Sequence, residues 1–127
     1  MRYLLDTHVV LWMLDEDNKF SEKAVRILRD PASKKYVSIA SAWEVAIKVG
    51  TGKLHLDGEV SEFFKAIHQS DFGLLPIKTK HVKQLATLPL LHRDPFDRIL
   101  IASAIAEGMG LITADTNIRL YDVRCLW

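Results

Sequence analysis

The chain has 127 residues, 49% of them hydrophobic and 26% charged, and its 17 basic and 16 acidic side chains give a formal net charge of +1. That length fits one domain over residues 1–127 with a single core burying roughly two thirds of the extended surface, and the balanced charge by itself announces no nucleic-acid binder. The longest apolar runs, Val9 to Leu14 and Ile99 to Ala102, fall far short of the roughly 20 residues that cross a bilayer, so no membrane partner and a cytoplasmic location are expected.

Arg2-Tyr3-Leu4-Leu5 reads as a strand, followed by Asp6-Thr7-His8 and a helical Val9 to Leu14. After a polar turn at 15–18, Ser21 caps a second helix that runs to Arg29 and is ended by Pro31. Lys35 to Ile39 is the next strand. Ser41-Ala42-Trp43-Glu44 has the spacing of a capping box that opens a helix ending at Gly50 and Gly52. Residues 53–58 form a loop, and a helix from Val60 to Ser70 carries Phe63, Phe64 and Ile67 on one face. This helix pair is expected to form a clip.

Leu74 to Ile77 is a third strand, and Thr79 caps a helix through Leu88. Pro95 then marks the start of a helix around Asp97 whose eight residues after Arg98 include seven apolar ones, too many for a surface helix. Gly108 and Gly110 stop it, Leu111-Ile112-Thr113 is a buried strand, and Asp115 stands just past its end. Tyr121 to Leu126 is an edge strand, in which the single cysteine, Cys125, is a small apolar residue and excludes both an intrachain disulfide and a cysteine zinc site. Strands alternating with helical segments predict an α/β fold: a short parallel sheet of four to five strands with six or seven helices on both faces.

In such a sheet ligands bind at the carboxyl ends of the strands, where Asp6 and Asp115 stand, with Asp97 opening the helix between them. Two ionised carboxylates about 5 Å apart at an effective dielectric near 20 repel by roughly 3 kcal/mol, so a group of Asp6, Glu44, Asp97 and Asp115 calls for shared protons or a divalent cation. Carboxylates with water suit Mg²⁺ or Mn²⁺. Each acid also has a plainer explanation. Glu44 serves as the last member of the capping box, Asp97 meets a helix macrodipole, Asp94 sits in a turn before Pro95, and Asp6 and Asp115 N-cap the segments after them.

Arg93, Arg98, Lys48 and Lys53 lie close to these acids in sequence and suit a phosphate backbone, although Lys48 is also placed to pair with Glu44 on one helix face. Gly52-Lys53 lacks the upstream glycine spacing of a P-loop. The histidines, His8, His55, His68, His81 and His92, show no paired ligand spacing and read mostly as surface residues.

Leu5-Asp6-Thr7-His8, Ser41 to Lys48 with Gly52-Lys53-Leu54, His92 to Arg98, Leu111 to Asp115 and the closing Leu126-Trp127 together resemble the PIN-domain ribonucleases over the whole chain. The length and motifs are similar to the toxin component of VapBC-type toxin–antitoxin pairs. The resemblance implies a PIN-like fold and an endoribonuclease acting on RNA with one or two Mg²⁺ or Mn²⁺ ions. It implies metal-site acids at Asp6, Glu44, Asp97 and Asp115 with Asp94 beside them, and pocket support from Arg98 and Thr113. It also implies a homodimer and a small cognate antitoxin whose tail occludes the acidic pocket. Two other readings stand beside it: a PIN-like module that binds RNA or protein without catalysis, and a phosphoacceptor signalling domain.

Overall fold

The computed structural model describes residues 1–14, 19–56 and 60–127. The expected polar turn at 15–18, and positions 57–58 of the expected loop, lie outside the described residues. Five strands, β1 (Arg2–Leu5), β2 (Lys34–Ser38), β3 (Gly73–Leu75), β4 (Gly110–Ile112) and β5 (Cys125–Leu126), pair in the order β3-β2-β1-β4-β5, all parallel. The described helices are α1 (Thr7–Leu14), α2 (Glu22–Arg29), α3 (Ile39–Gly50), α4 (Val60–Gln69), α5 (Thr79–Thr87) and α6 (Pro95–Glu107), with a 3₁₀ turn at Ile118–Leu120. None is long and apolar enough to cross a membrane.

The sheet is covered on both faces, which is why its strands are apolar at consecutive positions. Successive side chains alternate sides. Tyr3, Leu5, Val37, Ile112 and Leu126 join a cluster with Val9 and Val10 of α1, Val45 of α3, and Phe63 and Ile67 of α4. Leu4 and Leu111 join the opposite cluster with Leu100, Ile101 and Ala104 of α6. Leu4, Leu5, Leu111 and Ile112 are fully buried, each contributing about 1.5–3 kcal/mol relative to exposure. Phe64, expected beside Phe63, is exposed.

Helix α6 is framed by standard punctuation. Asp94 caps it, Pro95 occupies its first turn, and Gly108 closes it in the left-handed region at φ 67°. Several expected boundaries move. Strand β2 runs straight into α3, so Ser38, whose hydroxyl accepts the Ala40 N–H at 3.0 Å, is the cap, and Ser41 and Glu44 sit inside the helix. The expected capping box is therefore absent. Thr79 is likewise the first residue of α5 and not its cap. Strand β3 ends before Pro76, which has no N–H to give a ladder, and begins at Gly73, where a Cβ would lie 2.7 Å from the Tyr36 ring. Of the expected final strand only Cys125–Leu126 pairs, because Tyr121 instead turns into the core.

His8, His55 and His68 are exposed as expected, but His81 is fully buried. Its Nδ1 accepts the Lys78 backbone N–H at 3.1 Å, so the ring proton is on Nε2, which donates to Glu107 Oε1 at 2.9 Å. Lys78 and Lys80 Nζ reach the same oxygen at 3.2 and 3.0 Å, and Arg2 lies 3.7 Å from Oε2. The His81 hydrogen bond, aided by the lysines, holds the Glu107 carboxyl down to about 2. This cluster ties β1, α5 and the end of α6 together.

Candidate active site

The strand order reverses at β1, with β2 and β3 on one side and β4 and β5 on the other, which opens a crevice at the carboxyl ends of β1 and β4. Asp6 comes directly after β1, 2% exposed, its N–H bonded to Ile112 O at 3.0 Å. The buried Thr113 hydroxyl, just past β4, donates to Asp6 Oδ2 at 2.8 Å and accepts the Asp115 N–H at 3.0 Å. Asp115 Oδ1 in turn accepts the Asn117 N–H at 2.8 Å. Thr113 thus fixes Asp6 and the Asp115 backbone against each other. Thr113→Val keeps the shape and removes both bonds; it is expected to lower stability by about 1–3 kcal/mol, read from urea unfolding.

Glu44, 4% exposed on α3, pairs through Oε2 with Lys48 Nζ at 3.0 Å. The hydroxyls of Thr7 and Ser41 meet at 2.8 Å, joining α1 to α3 one turn before Glu44, a contact that the capping-box reading of Ser41 missed. Asp97, in the first turn of α6, accepts His92 Nε2–H on Oδ2 at 2.9 Å. Asp94 Oδ1 accepts the N–H groups of Phe96 and Asp97 at 2.9 and 3.2 Å. A pattern runs through these acids: each has one oxygen committed to the protein, while the other takes no hydrogen bond among the described residues. For Asp6 Oδ1 and Glu44 Oε1 the uncommitted oxygen is buried.

Their charges feel one another. Burial pushes the Asp6 carboxyl up, and the charges of Asp115 and Glu44 push it further against the Thr113 bond and the nearby His8. Burial also raises Asp97 to about 6, with Asp94, Asp6 and Asp115 adding and the His92 bond opposing. Among the described residues His92, Asp94 and Asp97 are the one group of three or more possible ligand side chains whose atoms lie within 4.8 Å of one another; Asp6, Glu44 and Asp115 are not drawn into that group. His92 was not among the expected site residues. Its partner lies five positions on across a proline turn, a spacing that no metal-ligand pattern marks.

The cations distribute unevenly. Lys48 and Lys53 line a groove of about 340 Å³ with Glu44, Ile47, Thr51, Asp94, Pro95 and Phe96. Arg93 is exposed. Arg98, expected to support the pocket, bonds through Nη1 to Pro89 O at 2.8 Å and Tyr121 Oη at 2.9 Å, and makes no ion pair with an acid among the described residues. A group of hard oxygen donors with two orphaned buried oxygens fits Mg²⁺ or Mn²⁺, since an unpaired buried polar atom costs about 1–3 kcal/mol.

A family model described as PIN domain matches residues 3–124. The chain is 28% identical over 119 residues, 91% of its length and 88% of the relative's, to Ribonuclease VapC22 of Mycobacterium tuberculosis. Among solved structures, VapBC2 from Rickettsia felis bound to a DNA fragment from its promoter is similar with a TM-score of 0.74 at 17% identity, covering 99% of this chain and 98% of that one. VapBC-1 from nontypeable Haemophilus influenzae is similar with a TM-score of 0.68 at 18% identity, covering 99% and 97%. At those identities the solved structures speak for the fold, and the family match spans nearly the whole sequence: the chain belongs to the PIN domain family.

Proposed function

We propose that the chain is a Mg²⁺- or Mn²⁺-dependent endoribonuclease of the VapC type, the toxin of a toxin–antitoxin pair. The observation that carries this is the pair of buried carboxylate oxygens without partners, Asp6 Oδ1 and Glu44 Oε1, in a group of like charges. Asp6, Asp97 and Asp115 would hold one or two ions, with Glu44 beside them and Asp94 at the rim. A bound divalent ion supplies Lewis acidity toward a phosphodiester and makes a water a stronger nucleophile. Thr113 orients Asp6 before substrate arrives. Glu44 is placed either to bind an ion or to orient the attacking water. Lys48 and Lys53 on the adjoining groove, with Arg93, supply positive charge for the RNA backbone.

The ribonuclease named among the relatives supports the RNA substrate, and the VapBC neighbours support an antitoxin partner, which on this reading would occlude the acidic pocket. An RNA target also suits the cytoplasm. Ile39, Trp43 and Ile47 form an exposed stripe at i, i+4 and i+8 on α3, with Trp43 edge-on to Phe96 at 5.2 Å, and this apolar surface beside the groove supports protein partners, a second copy included. The orphaned oxygens favour catalysis over a purely binding module.

Glu44→Gln tests the reading without disturbing the helix cap, because Ser38 and not Glu44 caps α3, although it also removes the ion pair with Lys48. Cleavage of labelled RNA is expected to fall by about 10²-fold while the melting temperature in chelator holds or rises. Unchanged cleavage would remove Glu44 from the centre.

A further inference from the structure

We propose that Tyr121, through the loop from Pro89 to Asp94, positions His92, and that His92 positions the Asp97 carboxylate; the proposal rests on the metal-dependent nuclease reading. The buried Tyr121 hydroxyl is bonded by the N–H groups of Leu91 and His92 at 3.2 and 2.8 Å and by Arg98 Nη1 at 2.9 Å, and it reaches His92 O at 3.3 Å. A phenol oxygen has two lone pairs, so the short bonds from His92 and Arg98 dominate. Arg98 Nη1 also holds Pro89 O at 2.8 Å, and its guanidinium lies 5.9 Å from the Tyr121 ring centroid.

Packing does not fix this loop. Leu90 and Leu91 are 71% and 50% exposed, so their apolar burial anchors little, and the segment is held by hydrogen bonds: the Tyr121–Arg98 clasp, the Leu91 N–H to Pro89 O bond at 3.1 Å and the Asp94 cap. Both backbone groups of His92 engage the same hydroxyl, which sets the direction from which its ring reaches Asp97 Oδ2 at 2.9 Å. Asp94, two residues on, holds the Asp97 backbone N–H at 3.2 Å. Asp97 is thereby gripped at backbone and carboxylate, leaving Oδ1 as the oxygen offered to a ligand. Partners behind a ligating carboxylate act in this way, and their loss costs about 10–100-fold in metal affinity or activity.

The test compares wild type with His92→Ala, His92→Gln and Tyr121→Phe. It measures Mn²⁺ affinity by electron paramagnetic resonance of the free ion, kcat and KM on a labelled single-stranded RNA of mixed sequence, and melting temperature. His92→Ala is expected to weaken Mn²⁺ binding about 10-fold and lower kcat about 10–100-fold, with KM within about 3-fold. Gln carries an amide N–H near the Nε2 position and is expected to restore both to within about 3-fold of wild type. Tyr121→Phe keeps the ring and is expected to lose about 3–10-fold in kcat and Mn²⁺ affinity. Wild-type values in His92→Ala overturn the proposal, and wild-type values in Tyr121→Phe overturn the clasp. If His92→Gln is as damaged as His92→Ala, the imidazole is itself a ligand and the positioning role falls. A wild-type protein that neither binds Mn²⁺ nor cleaves RNA gives a different pattern, in which all four proteins coincide, and defeats the nuclease reading together with this one.

Discussion

Asp6→Asn is expected to reduce metal-dependent RNA cleavage on the order of 10³-fold and, in the same protein, to raise the melting temperature in chelator. The two effects have one cause. Asp6 is buried with one oxygen unpartnered, and it shares its surroundings with Glu44 and Asp115, so its charge costs stability unless a cation is present. Asparagine keeps an acceptor for the Thr113 hydroxyl and removes the charge. A gain of about 1 kcal/mol is expected, on the order of 4 °C for a domain of this size. Mn²⁺ should stabilise the wild type and leave Asp6→Asn nearly unmoved. A marked loss of stability in the variant would mean that the Asp6 charge is satisfied by the protein itself, and the cation requirement would lose its main support.

The largest stability effect is expected at the other end of α6. Glu107→Ala deprives His81 Nε2–H of its acceptor in a fully buried position and scatters the cations of Arg2, Lys78 and Lys80, for a loss of about 3 kcal/mol at neutral pH. The folded carboxyl is held to about 2 against an ordinary 4.5. A depressed carboxyl stabilises the fold above its unfolded value, so the contribution is complete above about pH 5, declines as pH falls from there toward 2, and is gone below. The full difference would correspond to about 3 kcal/mol; with Arg2 and both lysines about half exposed, solvent screening brings it to about 2 kcal/mol. Urea unfolding of wild type and Glu107→Gln should differ at pH 7 and converge only as the pH approaches 2. A constant difference would show that the cluster acts through packing and not through charge.

The readable parts of this fold are those whose determinants are local. Strand, acid and helix succeed one another at Leu5-Asp6-Thr7, and Pro95 with Gly108 brackets α6, so both elements and the positions of Asp6, Asp94 and Asp97 were apparent from neighbouring residues. Glu44 was ambiguous for the same reason: Ser41-x-x-Glu44 satisfies a local capping pattern, and only the direct passage of β2 into α3 moves the cap to Ser38. His81 and His92 escaped because what gives them roles is distant or across a turn. His81 is buried against an acid 26 residues away, and His92 is set by a tyrosine 29 residues away. Arg98 beside Asp97 suggested the pocket, yet its hydrogen bonds close the loop instead. Spacing along the chain reports which side chains share an element, and it does not report which groups a parallel sheet brings together from its two halves.

The most direct test of the central claim is incubation of the purified protein with a mixed RNA pool in Mg²⁺ or Mn²⁺ and, in parallel, in excess chelator. Discrete cleavage products that appear with the metal and vanish with the chelator are the expected result. Intact RNA under both metals from well-folded protein free of any copurified partner, or cleavage indifferent to the chelator, would contradict it.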